Sequence, residues 1–168
     1  MADIATEIPI ATTTLGSATA SYTFTSIPST YTDFVLVVAG LTTNPSGQMV
    51  LRCGNTSIDT ATNYSSTILY GDGTSAGSTR TTSATSIEFD TFGTNANNDS
   101  VVGIANFQNY ANTTTYKTAI TRFSHPSRGV VSTTGLWRST SAINTIQVLT
   151  SNGTNLTSGL TLTLYGIL

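Results

Sequence analysis

Gly73-Thr74-Ser75-Ala76-Gly77 satisfies G-x-S-x-G, the turn on which α/β-hydrolases mount a nucleophilic serine. An acid and a histidine follow in the chain order such a triad can use, Asp90 or Asp99 and then His125. Order is not enough, because that serine must stand on a sharp strand-to-helix turn in a parallel sheet, and Ser78-Thr79-Arg80-Thr81-Thr82-Ser83 has no helical pattern. A chain so rich in Gly and Ser produces the match by composition. His125 is the only histidine, which denies a zinc site a second imidazole and leaves Cys53 as the one partner for a Cys–His pair. Standing before Pro126, it is expected as an ordinary turn histidine. Glu88 and Asp90 flank Phe89. As i and i+2 on a strand they would share one face at about 6–7 Å, which overlaps a glycosidase acid/base pair. No cleft aromatics accompany them, so a solvated acidic face is expected. The oxygen-rich runs Asn95 to Ser100 and Tyr70 to Gly73 lack the acidic density of a calcium loop and read as Asx turns. Cys53 stands alone, so no intrachain disulfide forms, and it reads as a small hydrophobe on a strand. The expectation is a protein that is not an enzyme, with no catalytic residues, no cofactor and no metal.

Composition narrows what remains. The 168 residues suit a single domain, 1–168, with about 70% of the unfolded surface buried. There are 36 Thr, 20 Ser and 12 Asn, while charged residues are 8% of the chain against roughly 25% in ordinary globular proteins. Disorder is not expected, because net charge is −2, mean hydropathy is +0.07, and the apolar residues cluster in β-branched and aromatic runs. Six scattered cations, Arg52, Arg80, Lys117, Arg122, Arg128 and Arg138, form no basic stripe, so no nucleic-acid partner is expected. The longest apolar run, Phe34 to Leu41, is well short of a bilayer span, and Met1-Ala2-Asp3-Ile4 has no signal-peptide pattern. No membrane partner is expected, and the protein folds in the compartment where it is made.

Helical spacing is nearly absent, whereas runs rich in Val, Ile, Thr, Tyr and Phe recur between Gly, Asn, Ser and Pro clusters. Strands are expected over Glu7 to Thr14, Ser21 to Ile27, Asp33 to Leu41, Met49 to Cys53, Thr67 to Tyr70 and Ser86 to Phe92. Further strands are expected over Ser100 to Asn109, Tyr116 to Phe123, Val130 to Arg138, Ile143 to Thr150 and Leu160 to Ile167. About 8–11 strands make an all-β, antiparallel β-sandwich. Alternation puts Tyr22 and Phe24 on one face and Thr23 and Thr25 on the other; Leu160, Leu162 and Leu164 likewise oppose Thr161, Thr163 and Tyr165. Phe34 to Val38 is apolar at every position and is expected at the centre of a sheet or at an interface. Gly71 to Ala84 and Gly93 to Asp99 read as rim loops, and residues 1–6 as a short N-terminal arm. Thr faces are soluble without charge, but long uncharged strand edges invite other chains. A homo-oligomer, a trimer, is therefore expected.

Several phrases together resemble a family. They are Asn63-Tyr64-Ser65-Ser66-Thr67-Ile68-Leu69-Tyr70-Gly71-Asp72-Gly73, Tyr110-Ala111-Asn112-Thr113-Thr114-Thr115-Tyr116-Lys117-Thr118, Gly135-Leu136-Trp137-Arg138-Ser139-Thr140 with Ile143-Asn144-Thr145-Ile146, and Gly159-Leu160-Thr161-Leu162-Thr163-Leu164-Tyr165-Gly166-Ile167. With Ile27-Pro28-Ser29-Thr30-Tyr31-Thr32-Asp33 they cover most of the chain and resemble small β-sandwich virion proteins of tailed bacteriophages, especially those of aquatic and cyanobacterial hosts. Arg52-Cys53-Gly54-Asn55 departs from the family, which has Asn, Gly and Asp after the arginine. The resemblance implies a jelly-roll-like sandwich on the virion, made in the host cytoplasm, and no catalytic residues. It implies either a decoration (cement) protein on the capsid surface, with the major capsid protein as partner, or a tail-fibre tip contacting tail proteins and host glycans. A single sandwich without shaft or adaptor fits decoration. Candidate capsid-docking residues are Ile4, Ile8 and Ile10 in an arm over Ala2 to Ile10, and candidate interface or glycan contacts are Trp137 and Tyr165.

Overall fold

The computed structural model describes residues 6–41, 47–93 and 100–168. The expected strands form wherever β-branched and aromatic residues alternate with Thr and Ser. Strand β1 (Glu7–Thr14), β2 (Ser21–Phe24), β3 (Asp33–Leu41), β4 (Met49–Asn55) and β5 (Ser57–Ile58) lead to the hairpin of β6 (Tyr64–Gly71) and β7 (Ala76–Ala84). After β8 (Ile87–Glu88) come β9 (Ser100–Phe107), β10 (Lys117–His125), β11 (Gly129–Trp137), β12 (Thr145–Thr150) and β13 (Thr161–Ile167). No helix occurs among the described residues.

The strands make an antiparallel β-sandwich. An eight-stranded sheet runs β1-β13-β3-β9-β10-β11-β6-β7, and a smaller one runs β2-β12-β4-β5 with β8 beside β4. In β10 burial alternates at every residue, so Ala119, Thr121 and Phe123 face inward and Ile120, Arg122 and Ser124 face out. The core lies between the sheets, with Phe34, Leu36, Ile68 and Leu164 from one meeting Met49, Leu51, Ile146 and Val148 from the other. Phe34 stacks on Phe107 at 4.6 Å, and Phe89 meets Phe123 edge-on at 5.1 Å. Gly103 makes that second contact possible, because a Cβ there would lie 2.5 Å from both rings. Strand β3 is central, as its continuous apolar run implies, with Phe34, Leu36 and Val38 in the core and Val35 and Val37 half-buried on the outer face.

The structure corrects several expectations. Residues 76–84, read as loop, are a full edge strand; with no apolar alternation, β7 owes its existence to pairing with β6. Of the strand expected over Ser86 to Phe92, only Ile87 and Glu88 pair in a ladder. Both Phe89 and Asp90 then donate to Met49 O, which breaks the alternation and turns Asp90 inward. Glu88 and Asp90 therefore share no solvated face. His125 is no turn residue; it closes β10 opposite Gly129 and is buried, because period two puts it on the face of Thr121 and Phe123. Ile8 and Ile10 belong to no free arm, since Glu7 to Thr14 pair with β13 and Ile10 packs against the core. Ile4, the rest of residues 1–5, and the loop positions 94–99, Asp99 among them, lie outside the described residues.

Candidate functional site

The hydrolase-like motif is a hairpin tip. Between β6 and β7 the Asp72 carboxylate accepts from Thr74 N at 2.8 Å, Ser75 N at 2.6 Å and Ser75 Oγ at 3.0 Å, an Asx turn. These bonds, led by the one from Ser75 N–H, lower its carboxyl to about 2. The Ser75 hydroxyl thus donates to the turn carboxylate instead of to a histidine base. Asp90 is enclosed, accepting from Phe92 N at 2.9 Å, and its second oxygen has no hydrogen-bond partner among the described residues. Burial pushes its carboxyl up, opposed by the Phe92 N–H and by His125 and Arg128 nearby. Among the described residues no three His, Cys, Asp or Glu side chains gather as a metal site.

Trp137 ends β11 and is only 3% exposed, so it offers no open ring face for a sugar. Its Nε1 donates to Asp59 Oδ2 at 2.8 Å, and its ring lies 6.5 Å from Tyr64, nearly parallel. Asp59 also accepts from Asn63 Nδ2 and Ala61 N, both at 2.8 Å. Partial burial pushes the Asp59 carboxyl up, but the bonds from Trp137, Asn63 and Ala61 together outweigh it and hold the group below the usual range. The buried Tyr64 hydroxyl accepts from Cys53 N at 3.0 Å and lies 2.9 and 2.8 Å from the carbonyls of Cys53 and Asp59, which accept its proton. Burial pushes both the Cys53 thiol and the Tyr64 phenol up. Lys117 is buried on the same side of the large sheet, donating from Nζ to Thr115 O at 2.7 Å and Thr140 O at 3.2 Å. This network knits the β4–β6 connection to β11. A shallow hollow of about 400 Å³ lies over it, bordered by Asn55, Asp59, Ala61 and Ser141.

The opposite situation holds on the outer face of the large sheet. Leu69 (62% exposed), Val130 (61%), Ile120 (53%) and Val102 (43%) all project there, and no described segment covers them. Across the strands Val102, Ser124, Val130 and Gly71 stand in one row, and Ile104, Arg122, Ser132 and Leu69 in the next. They line a hollow of about 580 Å³ with Arg122 at its centre. Tyr165 stands on the same face, half-buried opposite Val35, three strands from Arg122. Trp137 and Tyr165 are therefore not brought together, and Ile8 and Ile10 sit on the far edge strand. Alternation marks the core-facing residues of these strands and is silent on an apolar outer face. Its signal is the doubled apolar pairs Ile68-Leu69, Val101-Val102 and Val130-Val131, each of which must place one member outward.

No family model matches the chain, and no curated protein matches it in sequence. Among solved structures, CG-16, a homodimeric agglutinin from chicken liver, is 11% identical, with 84% of this chain covered, 98% of that one and a TM-score of 0.37. Galectin LEC-6 of Caenorhabditis elegans is 8% identical, with coverages of 94% and 95% and a TM-score of 0.38. An alginate lyase Aly36B mutant in complex with alginate tetrasaccharide is 8% identical, with coverages of 98% and 96% and a TM-score of 0.34. At these values nothing about ligand, activity or partner carries over.

Proposed function

We propose that this chain is a virion structural protein of a tailed bacteriophage, a decoration protein that binds the assembled head through its major capsid protein and stabilises it. The observation that carries the reading is the broad outer face of the eight-stranded sheet, where Leu69, Val102, Ile120 and Val130 stand exposed on a rigid scaffold. Contiguous exposed apolar area of this kind marks interaction surfaces. The sequence phrases quoted above add the virion context. The protein works as a homo-oligomer, a trimer; the low charge and the unpaired outer edge of β7, nine residues with one charge and no proline, support self-association. The mechanism is mechanical: packaged DNA strains the shell outward, and each docked oligomer adds contacts that must break before the lattice opens, many weak contacts acting together.

Quantitative mass spectrometry and antibody labelling of purified particles test this. Many copies over the head are expected, with particles lacking the protein more sensitive to heat and osmotic shock. A few copies at the tail would replace this reading with receptor binding, and absence from particles would end it. A light-scattering mass equal to one chain at micromolar concentration would refute the oligomer.

A further inference from the structure

We propose that the outer face of the eight-stranded sheet, centred on Arg122, docks another protein whose surface presents a carboxylate set among aliphatic side chains; this deepens the decoration reading and rests on it. Arg122 is on β10, the fifth of eight strands, with Ile104 and Ser132 opposite it and Ile120 and Ser124 on its own strand facing the same way. It is exposed, and among the described residues no carboxylate lies within ion-pair reach of it. The other cation on this face is Arg80, opposite Thr67 on β7. Of the described acids, Glu7 and Asp33 share this face by register, in the row of Ile167 at its far end, where Asp33 accepts from Asn109 N; Asp72 holds the hairpin tip, Glu88 accepts from Thr81, Asp59 accepts from Trp137, and Asp90 is buried.

The middle of the face is thus aliphatic with positive charge alone, and charge complementarity selects its occupant. A second copy covering the hollow by a two-fold axis through Arg122 would bring the two Arg122 guanidiniums together and give neither a partner, because Glu7 and Asp33 stand at the far end of the face. Two arginines neutralise too few phosphates for nucleic acid, and the aromatics that border the hollow, Tyr70 and Phe123, stand at inward-facing positions opposite Val131, so the side chains projecting onto the face are Leu, Val and Ile, which do not suit a sugar. A protein surface that covers Leu69 and Val130 must also desolvate Arg122, which is unfavourable unless a carboxylate meets it. The aliphatic residues supply attachment and Arg122 supplies choice of partner. The trimer then assembles through other surfaces.

The test uses heads prepared without this protein and rebinding of the purified full chain, quantified by sedimentation with the particles. Arg122→Glu is expected to lower affinity about 30-fold or more, and Leu69→Ser and Val130→Ser about 10-fold each, while Thr25→Glu, exposed beside the smaller sheet, binds as the parent does. Arg122→Gln is the second variant should the glutamate disturb folding, and thermal melts of all variants establish that they fold. Rebinding of the parent is expected to weaken with salt more steeply than that of Arg122→Gln. If the parent coats heads and Arg122→Glu and Leu69→Ser coat them equally well, the face is wrong and the decoration reading stands. If the parent never binds heads, both fall. Dissociation of the oligomer by Leu69→Ser would make this a self-interface and overturn the proposal.

Discussion

Replacing Asp59 by Ala is expected to cost about 2–4 kcal/mol, most of it passed through Trp137. The carboxylate accepts three hydrogen bonds at 2.8 Å, from Trp137 Nε1, Asn63 Nδ2 and Ala61 N. Ala61 is exposed and Asn63 half-exposed, so water replaces the lost acceptor for both. Trp137 is 3% exposed, and its N–H would be stranded. A hydrogen bond to a charged group contributes about 1.5–3 kcal/mol, and an unsatisfied buried donor costs about 1–3 kcal/mol. The two overlap, and the solvated bonds add roughly 0.5–1 kcal/mol. Trp137→Phe removes the donor, so in that background Asp59→Ala should cost less, with a coupling of about 1–2 kcal/mol. Urea unfolding at pH 7, followed by far-UV circular dichroism so that variants without the single tryptophan are read alike, gives all four corners of the cycle. Coupling below about 0.5 kcal/mol, the limit of ordinary additivity, would refute the reasoning. Acid supplies an independent arm. The folded Asp59 is held below its unfolded value, so its contribution is present above about pH 4 and is lost as pH falls through the lower folded value. The gap between parent and Asp59→Ala should therefore narrow in acid.

Three further outcomes follow from packing. Thr121 and Thr133 oppose each other on the core face with hydroxyls that have no hydrogen-bond partner among the described residues, so Thr133→Val is expected to raise stability by about 1 kcal/mol in a denaturant melt; a loss would mean the hydroxyl is satisfied. Gly103→Ala would put a methyl 2.5 Å from the Phe89 and Phe123 rings and is expected to destabilise by about 1–3 kcal/mol, read as a lowered melting temperature. Cys53 is fully buried with its thiol pushed up by burial, so it should resist a thiol reagent at pH 8 in the native protein and react in urea. Fast native labelling would contradict that placement.

Strand β3 was legible to the residue, Asp33 to Leu41, because an unbroken apolar run between a turn and a Gly-Leu end is a local signal. Strand β7 was not, since Ala76–Ala84 has no core face of its own and takes its conformation from the β6 ladder. Trp137, expected as an interface or glycan contact, is instead buried and bonded to Asp59, 78 residues away in sequence, a pairing no local pattern carries. His125 and Asp90 were expected on the surface; a strand extended by two residues beyond Phe123 and a break in alternation at Met49 put both inside.

By itself the sequence determined an all-β chain, the faces of most strands and the turn character of Tyr70 to Gly73, because period-two alternation and turn chemistry act over a few residues. Only the tertiary structure decided which strands became neighbours. The ladders β6-β11-β10-β9 bring Leu69, Val130, Arg122 and Val102 onto one face from four separate stretches of chain. Each of those residues is unremarked in its own strand, and the surface they form exists because non-local hydrogen bonding sets the order and register of the sheet.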